Sequence, residues 1–215
     1  MNRNYQKELD AVLSEIDAVE KRPRLLLHSC CAPCSSYVLE YLARYFDITL
    51  LYYNPNIYPA AEYDKRAGEL VRLLSLMPLP IRVETLIPPY DPAPFAAAVA
   101  GLEDAREGGA RCARCFRLRL EEAARVAARE KYDFFTTTLS VSPHKDATLL
   151  CDLGGTLSAQ YGVAYLYADF KKRDGYKRSV TLAKALGLYR QDYCGCEYSM
   201  RDKPSTPNND FKESP

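Results

Sequence analysis

Apolar positions follow two rhythms along the chain. Tyr5, Leu9, Val12, Leu13, Ile16 and Val19 recur at helical spacing and predict an amphipathic helix over 5–19, which Pro23 ends. Short, nearly unbroken apolar runs at 24–28, 48–53, 81–87, 132–139 and 163–167 predict five strands. Between them, helical patterns occupy 35–46, 61–77, a stretch from about 92, the segment leading to about 130, 145–160 and 177–188. The Gly154–Gly155 pair weakens the helix over 145–160.

Strands that are apolar throughout are buried on both faces, as in a parallel sheet covered by helices. The expected architecture is therefore α/β and three-layered. It has a mainly parallel, Rossmann-like five-stranded sheet, helices on both faces and an added N-terminal helix. A single catalytic domain is expected over 1–203, with residues 1–22 as the N-terminal helix, and a disordered polar tail over 204–215. Ligands of such sheets bind beyond the carboxyl ends of the strands. The loops that fall there are HSCCAPC, YYNPNIYP, PPYDP, TTTLSVSPHKD and ADFKKRDGYKR, the most polar and unusual stretches of the chain.

Charge is nearly balanced, with 29 basic and 28 acidic residues, so only local clustering can speak for a nucleic-acid partner. No apolar run approaches the roughly 20 residues a membrane span needs, and the first residues lack a signal-peptide core. A cytoplasmic protein without membrane attachment is expected. In that compartment eight cysteines point to metal or redox chemistry rather than to a disulfide framework.

Seven of the eight fall into three groups: Cys30-Cys31-x-x-Cys34, Cys112-x-x-Cys115 and Cys194-x-Cys196. The isolated Cys151 reads as a packed small hydrophobe. Two Cys-x-x-Cys pairs suit either tetrahedral zinc or a [4Fe–4S] cluster, and spacing alone leaves both open. Either one is complete with four sulfurs, so the surplus suggests a second redox or metal function. Cys194-Gly195-Cys196 suits that role, because a disulfide across so small a ring would be strained and easily reduced. Arg111, Arg114, Arg117 and Arg119 flank the second pair and favour thiolate. His144, Lys145, Asp146 and Tyr193 are candidate proton donors, although Asp146 equally suits a helix N-terminus. Residues 171–178, KKRDGYKR, hold five basic residues and one acid. Lys171, Lys172, Arg173, Lys177 and Arg178 are candidate phosphate contacts and Tyr176 a stacking platform. Tyr52, Tyr53 and Tyr58 are candidates to stack on a flipped-out nucleoside, against the plainer reading that tyrosines beside a strand pack.

The stretches LLLHSCCAPCSSY, YYNPNIYPAAEYDKR, RCARCFRLRL, FTTTLSVSPHKD, DFKKRDGYKRS and LYRQDYCGCEYS resemble, in order, those of the QueH-type epoxyqueuosine reductases. The resemblance spans about residues 25–200. It implies reduction of epoxyqueuosine to queuosine at the wobble position of tRNA, the epoxide oxygen leaving as water. It also implies a [4Fe–4S] cluster, a second centre that is a mononuclear iron or a redox disulfide, and an electron donor left unidentified. By that resemblance Cys30, Cys31, Cys112 and Cys115 are the cluster ligands, and Cys194 and Cys196 are the redox pair or help hold a second iron. Some relatives carry Asp where this chain has Cys34, a softer ligand also able to bind iron, so the metal set differs accordingly. Two other readings stay in view. One is an ATP-dependent tRNA-modifying enzyme, although the first loop lacks a glycine-rich phosphate cradle. The other is a zinc-stabilised RNA-binding module.

Overall fold

The computed structural model describes residues 3–18 and 21–201. The tail expected from Pro204 lies outside them. Five strands, β1 (Arg24–His28), β2 (Asp47–Leu51), β3 (Glu84–Leu86), β4 (Phe134–Thr137) and β5 (Ala164–Tyr165), form one sheet in the order β3-β2-β1-β4-β5. Every pairing is parallel; at the centre Leu26 lies opposite Thr49 on one side and Phe135 on the other. The expected three-layer α/β sheet is what the chain forms. The edge strands β3 and β5 are shorter than their apolar runs, 81–87 and 163–167.

Both faces of the sheet are dry. Alternate residues of a strand point to opposite faces, so Leu25 and Leu27 join one core with α2 (Ala32–Leu42), α3 (Ala60–Leu76) and α7 (Gly175–Ala185). Leu26 and Phe135 join the other core with α5 (Ala110–Arg129) and α6 (Ala147–Tyr161). This two-sided burial explains why β1 reads as an unbroken apolar run. Between β3 and α5 lies the short α4 (Ala93–Val99). The N-terminal helix α1 (Tyr5–Asp17), capped by the Asn4 side chain, buries Leu9, Leu13 and Ile16 against its own domain and stacks Tyr5 on Tyr167.

Two local differences from the sequence reading have physical causes. Helix α2 begins at Ala32 rather than 35, because Cys31 takes the extended N-cap conformation and Pro33 falls in the first turn, where its missing N–H costs nothing. The Gly154–Gly155 pair does not break α6; it lets the helix press onto aromatic rings. A Cβ on Gly154 would lie 2.4 Å from the Tyr165 ring, and one on Gly155 would lie 2.5 Å from the Tyr167 hydroxyl.

Cys151 has no exposed surface, and burial pushes its thiol up to about 12, consistent with a packing role. For Gly154→Ala two effects compete. Alanine favours a helix by about 1 kcal/mol, while overpacking a core costs about 1–3 kcal/mol. Tyr165 is itself buried and has no room to swing away, so overpacking should win. Gly154→Ala is expected to lower the urea midpoint; a midpoint at or above wild type would contradict this packing account.

Candidate active site and metal centre

The strand order reverses between β1 and β4. From β1 the chain proceeds through α2 to β2 and on to β3, whereas β4 lies on the other side and continues outward to β5. The loops leaving these two central strands therefore diverge and open a crevice at their carboxyl ends. A cavity of about 530 Å³ occupies it, a size suited to a small organic group. Cys30, Cys31 and Cys34 line it from the β1 side, Lys145 from the β4 side, and Cys194 from the segment after α7.

Cys30, Cys31 and Cys34 form one compact group, with all three sulfurs within 4.8 Å of one another and Cys30 and Cys31 Sγ 3.7 Å apart. Cys31 is the N-cap of α2 and Cys34 lies in its first turn. The β4 side adds Thr138, in a 3₁₀ turn (Thr138–Val141): its hydroxyl lies 3.4 Å from Cys30 Sγ as donor and accepts from the Cys30 N–H at 3.2 Å. Hydrogen bonds from Cys31 and Cys34 hold Cys30 well below the ordinary thiol range. The thiols that share that negative charge are raised, Cys31 to about 12.

The second pair lies at the start of α5. Gly109 is the N-cap, and the Gly108 N–H donates to Cys112 Sγ at 3.2 Å. Both sulfur groups thus use the positive end of a helix, which favours thiolate. Burial raises Cys112, with the Gly108 N–H opposing it. Burial raises Cys115 to about 11 while Arg119 opposes it. Cys194 and Cys196 lie close enough to raise both thiols further. Cys115 shares a buried cluster with Cys196, Phe95, Val99 and Tyr198. All eight cysteines are free thiols.

The Cys194-Gly195-Cys196 turn is clamped from three directions. Arg66 Nη1 donates to Cys194 O at 3.3 Å, and Tyr58 N–H donates to Gly195 O at 2.8 Å. The short helix α8 (Glu197–Arg201) follows the turn, and its Ser199 N–H donates to Cys196 Sγ at 3.4 Å. Gly195 has φ of +128°, and a Cβ there would meet Arg66 Nη1 at 3.0 Å. The conformation demands glycine, and a Cβ would also crowd the Arg66 guanidinium.

Lys145 Nζ lies 2.8 Å from Cys194 Sγ and 3.6 Å from Glu107. Burial disfavours its charge, but Cys194 and Glu107 outweigh burial and keep it protonated. His144 is exposed on the cavity wall. Asp146 is the N-cap of α6, accepting from Thr148 N–H at 2.8 Å and Leu149 N–H at 3.1 Å, and it does not line the cavity. The Tyr193 hydroxyl donates to Tyr58 O at 2.6 Å.

The basic octamer is less free than its composition suggests. Lys171 pairs with Asp169, Arg173 with Asp10, and Arg178 with Glu40. Lys172 and Lys177 are exposed, and Tyr176 is exposed at the cavity mouth. Tyr52 is buried against Tyr63, whereas Tyr58 is half exposed.

Several site residues escaped the sequence reading. Arg66 looks like a solvent charge on α3, but it is buried and paired with Glu62 at 2.7 Å; the i,i+4 spacing was the available signal. Asn54, which links Arg119 to Ser29 O, and Thr138 carried no signal.

The donor set fits a metal centre: three sulfurs are already grouped at a helix start, Cys194 lines the same cavity with Cys112 and Cys115 near it, and cationic groups stand among them. A doubly wound sheet with such a set at its switch point defines an α/β redox or metal-dependent enzyme. The comparisons narrow the class. The profile of epoxyqueuosine reductase QueH matches residues 25–202. The epoxyqueuosine reductase QueH of Staphylococcus epidermidis is 40% identical over 91% of this chain and 84% of its own. That of Thermotoga maritima is 34% identical over 83% and 91%, and that of Dehalococcoides mccartyi 36% identical over 87% and 98%. The chain belongs to the epoxyqueuosine reductase QueH family, and is an oxidoreductase.

The grouped sulfurs predict an order of reactivity in the metal-free chain. Iodoacetamide at neutral pH, read by peptide mass spectrometry, should modify Cys30 about tenfold faster than Cys31, Cys115 or Cys151, because thiolate is the nucleophile. Equal rates at Cys30 and Cys31 would contradict the assigned charge.

Proposed function

We propose that the chain reduces epoxyqueuosine to queuosine in tRNA, on an iron–sulfur centre held by the cysteines around the cavity. Supporting this is one observation above the rest: the grouped sulfurs of Cys30, Cys31 and Cys34 share one cavity at the switch point with Cys194, from a distant segment, in a chain that belongs to the QueH family. Cys30, Cys31, Cys112 and Cys115 are assigned to a [4Fe–4S] cluster. Cys34, Cys194 and Cys196 serve a second centre, a mononuclear iron or a dithiol. When bound, such centres supply electrons singly and polarise an oxygen.

Removing the epoxide oxygen as water breaks two C–O bonds, forms one C=C bond and consumes two electrons and two protons. The electrons come from an external donor. Lys145 is the proton source we assign to the site, because its buried ammonium is held at the cavity wall beside Cys194. His144, on the same wall and exposed, exchanges protons with solvent. The cavity admits the modified base only if the nucleotide leaves the anticodon stack. Tyr176 and Tyr58, exposed near the mouth, offer faces to stack on it. Lys172, Lys177 and the exposed Arg190 contact tRNA phosphates, with Arg173 and Arg178 exchanging their carboxylate partners for phosphate. A tRNA substrate implies a cytoplasmic enzyme, and no helix of the described residues is long and apolar enough to cross a membrane.

The alternatives fit the site less well. At the start of α2, where an ATP-dependent enzyme needs a glycine cradle, this chain presents thiols and proline. A structural zinc has no use for a buried ammonium on a cavity wall.

Two outcomes are expected. Protein purified without oxygen should contain iron and acid-labile sulfide. With a chemical reductant it should remove one oxygen from epoxyqueuosine in tRNA, seen by nucleoside mass spectrometry. Colourless, zinc-filled protein without turnover would overturn the proposal. Lys145→Met should lower turnover by about 10²–10⁴-fold, the range for losing a general acid, with tRNA affinity changed less than about threefold. Wild-type turnover in Lys145→Met would remove Lys145 from the reaction.

A further inference from the structure

Helix α5 carries more than its two cysteines on the site face. Cys112, Cys115 and Arg119 follow one another at three and four residues, so all three lie on one stripe. Arg119 is 3% exposed, yet no carboxylate pairs with it among the described residues. Its geometric hydrogen bond is to a neutral group: Nη2 donates to Asn54 Oδ1, and Asn54 is in turn anchored on Ser29 O, while the Cys115 thiol is the other group in reach. The guanidinium Nε is buried without any partner. Arg66 and Lys145, the other buried cations on the cavity wall, each have a glutamate.

A buried charge without a counter-charge is strongly unfavourable, and natural proteins retain one where a ligand supplies the opposite sign. The groups that face Arg119 are sulfurs from two directions. Cys115 lies beside it on its own helix, and Cys30 approaches from the β1 loop; both gain thiolate character from its charge. His28, on the strand below, is neutral or cationic and so supplies no negative charge. Arg119 also lines the cavity. It stands between the two cysteine groups assigned above to one cluster.

The geometry points to Arg119 as the buried counter-charge of the sulfur-ligated centre, a positioning residue that stabilises the centre's reduced state and so sets its reduction potential. The inference rests on the iron–sulfur reading of the site. A centre bound by several thiolates carries net negative charge, and reduction adds one more. A fixed positive charge beside the ligand sulfurs favours that added electron, and net charge and hydrogen bonds to sulfur are among the properties that tune such potentials. Asn54 holds the side chain in place without neutralising it.

The test is spectroelectrochemical titration of the loaded protein in three forms: wild type, Arg119→Lys and Arg119→Gln. Arg119→Gln should shift the one-electron reduction equilibrium at least tenfold toward the oxidised state, a potential lower by 59 mV. Arg119→Lys, which keeps the charge, should remain within about threefold of wild type. A wild-type potential in Arg119→Gln overturns the inference, as does an equal shift in both variants. Should Arg119→Gln fail to retain iron, the urea midpoint of the metal-free chains decides. Loss of an uncompensated charge should leave the metal-free Arg119→Gln chain at least as stable as wild type. A less stable chain would mean that Arg119 is merely structural, and the inference would fall. Wild-type protein that never holds iron and sulfide would overturn the iron–sulfur reading itself, and this inference with it. Iron held at an unchanged potential in Arg119→Gln would overturn only the inference.

Discussion

The parallel pairing of β1 with β4 is the constraint on which the site depends. These strands lie side by side at the middle of the sheet, although more than a hundred residues separate them in sequence. Their exits diverge because the chain between them has been wound off to the other side, through β2 and β3. The gap between the exits is a cavity lined by side chains of both loops and by Cys194. Leu25, Leu26 and Leu27 hold this pairing from above and below, and none of them has exposed surface. The chemistry at the rim is therefore anchored in the driest part of the protein.

The rim itself is an electrostatic arrangement. Thiols crowd together where the starts of α2 and α5 turn their positive ends inward. Burial alone would keep every thiol neutral, and it does so for Cys151, packed in the core among apolar side chains. At the site, hydrogen bonds from neighbouring thiols and from the Gly108 N–H, with the charges of Arg119 and Lys145, oppose burial. Sulfur and cation are each costly to bury alone. Together they form a cavity wall suited to anionic metal–sulfur chemistry and able to keep a proton close at hand.

Much of this was legible in the residues. Runs of apolar residues without alternation marked a sheet covered twice, and the strand-end loops were the ones richest in cysteine and charge. The ends of elements were less legible. The apolar run 81–87 shrinks to Glu84–Leu86, and α2 starts three residues early because Pro33 suits a first turn. Spacing marked the cysteine groups without showing which sulfurs are neighbours. That Cys34 closes on Cys30 and Cys31 depends on where α2 begins. The octamer 171–178 advertised more free charge than it has, because its partners Asp10, Glu40 and Asp169 belong to other segments or to the preceding loop. Glycines were misleading in a different way: at Gly154 the sequence suggested a weak helix, where the fold required close approach to Tyr165.

The central claim is that sulfurs from three segments converge to hold iron at the switch point. Anomalous diffraction at the iron absorption edge, from crystals grown without oxygen, tests it most directly. The account predicts iron peaks inside the cavity, within bonding distance of Cys30 and Cys31 on one side and of Cys112 and Cys115 on the other. Zinc in place of iron, or a cavity whose cysteines touch no metal while iron binds elsewhere, would contradict it.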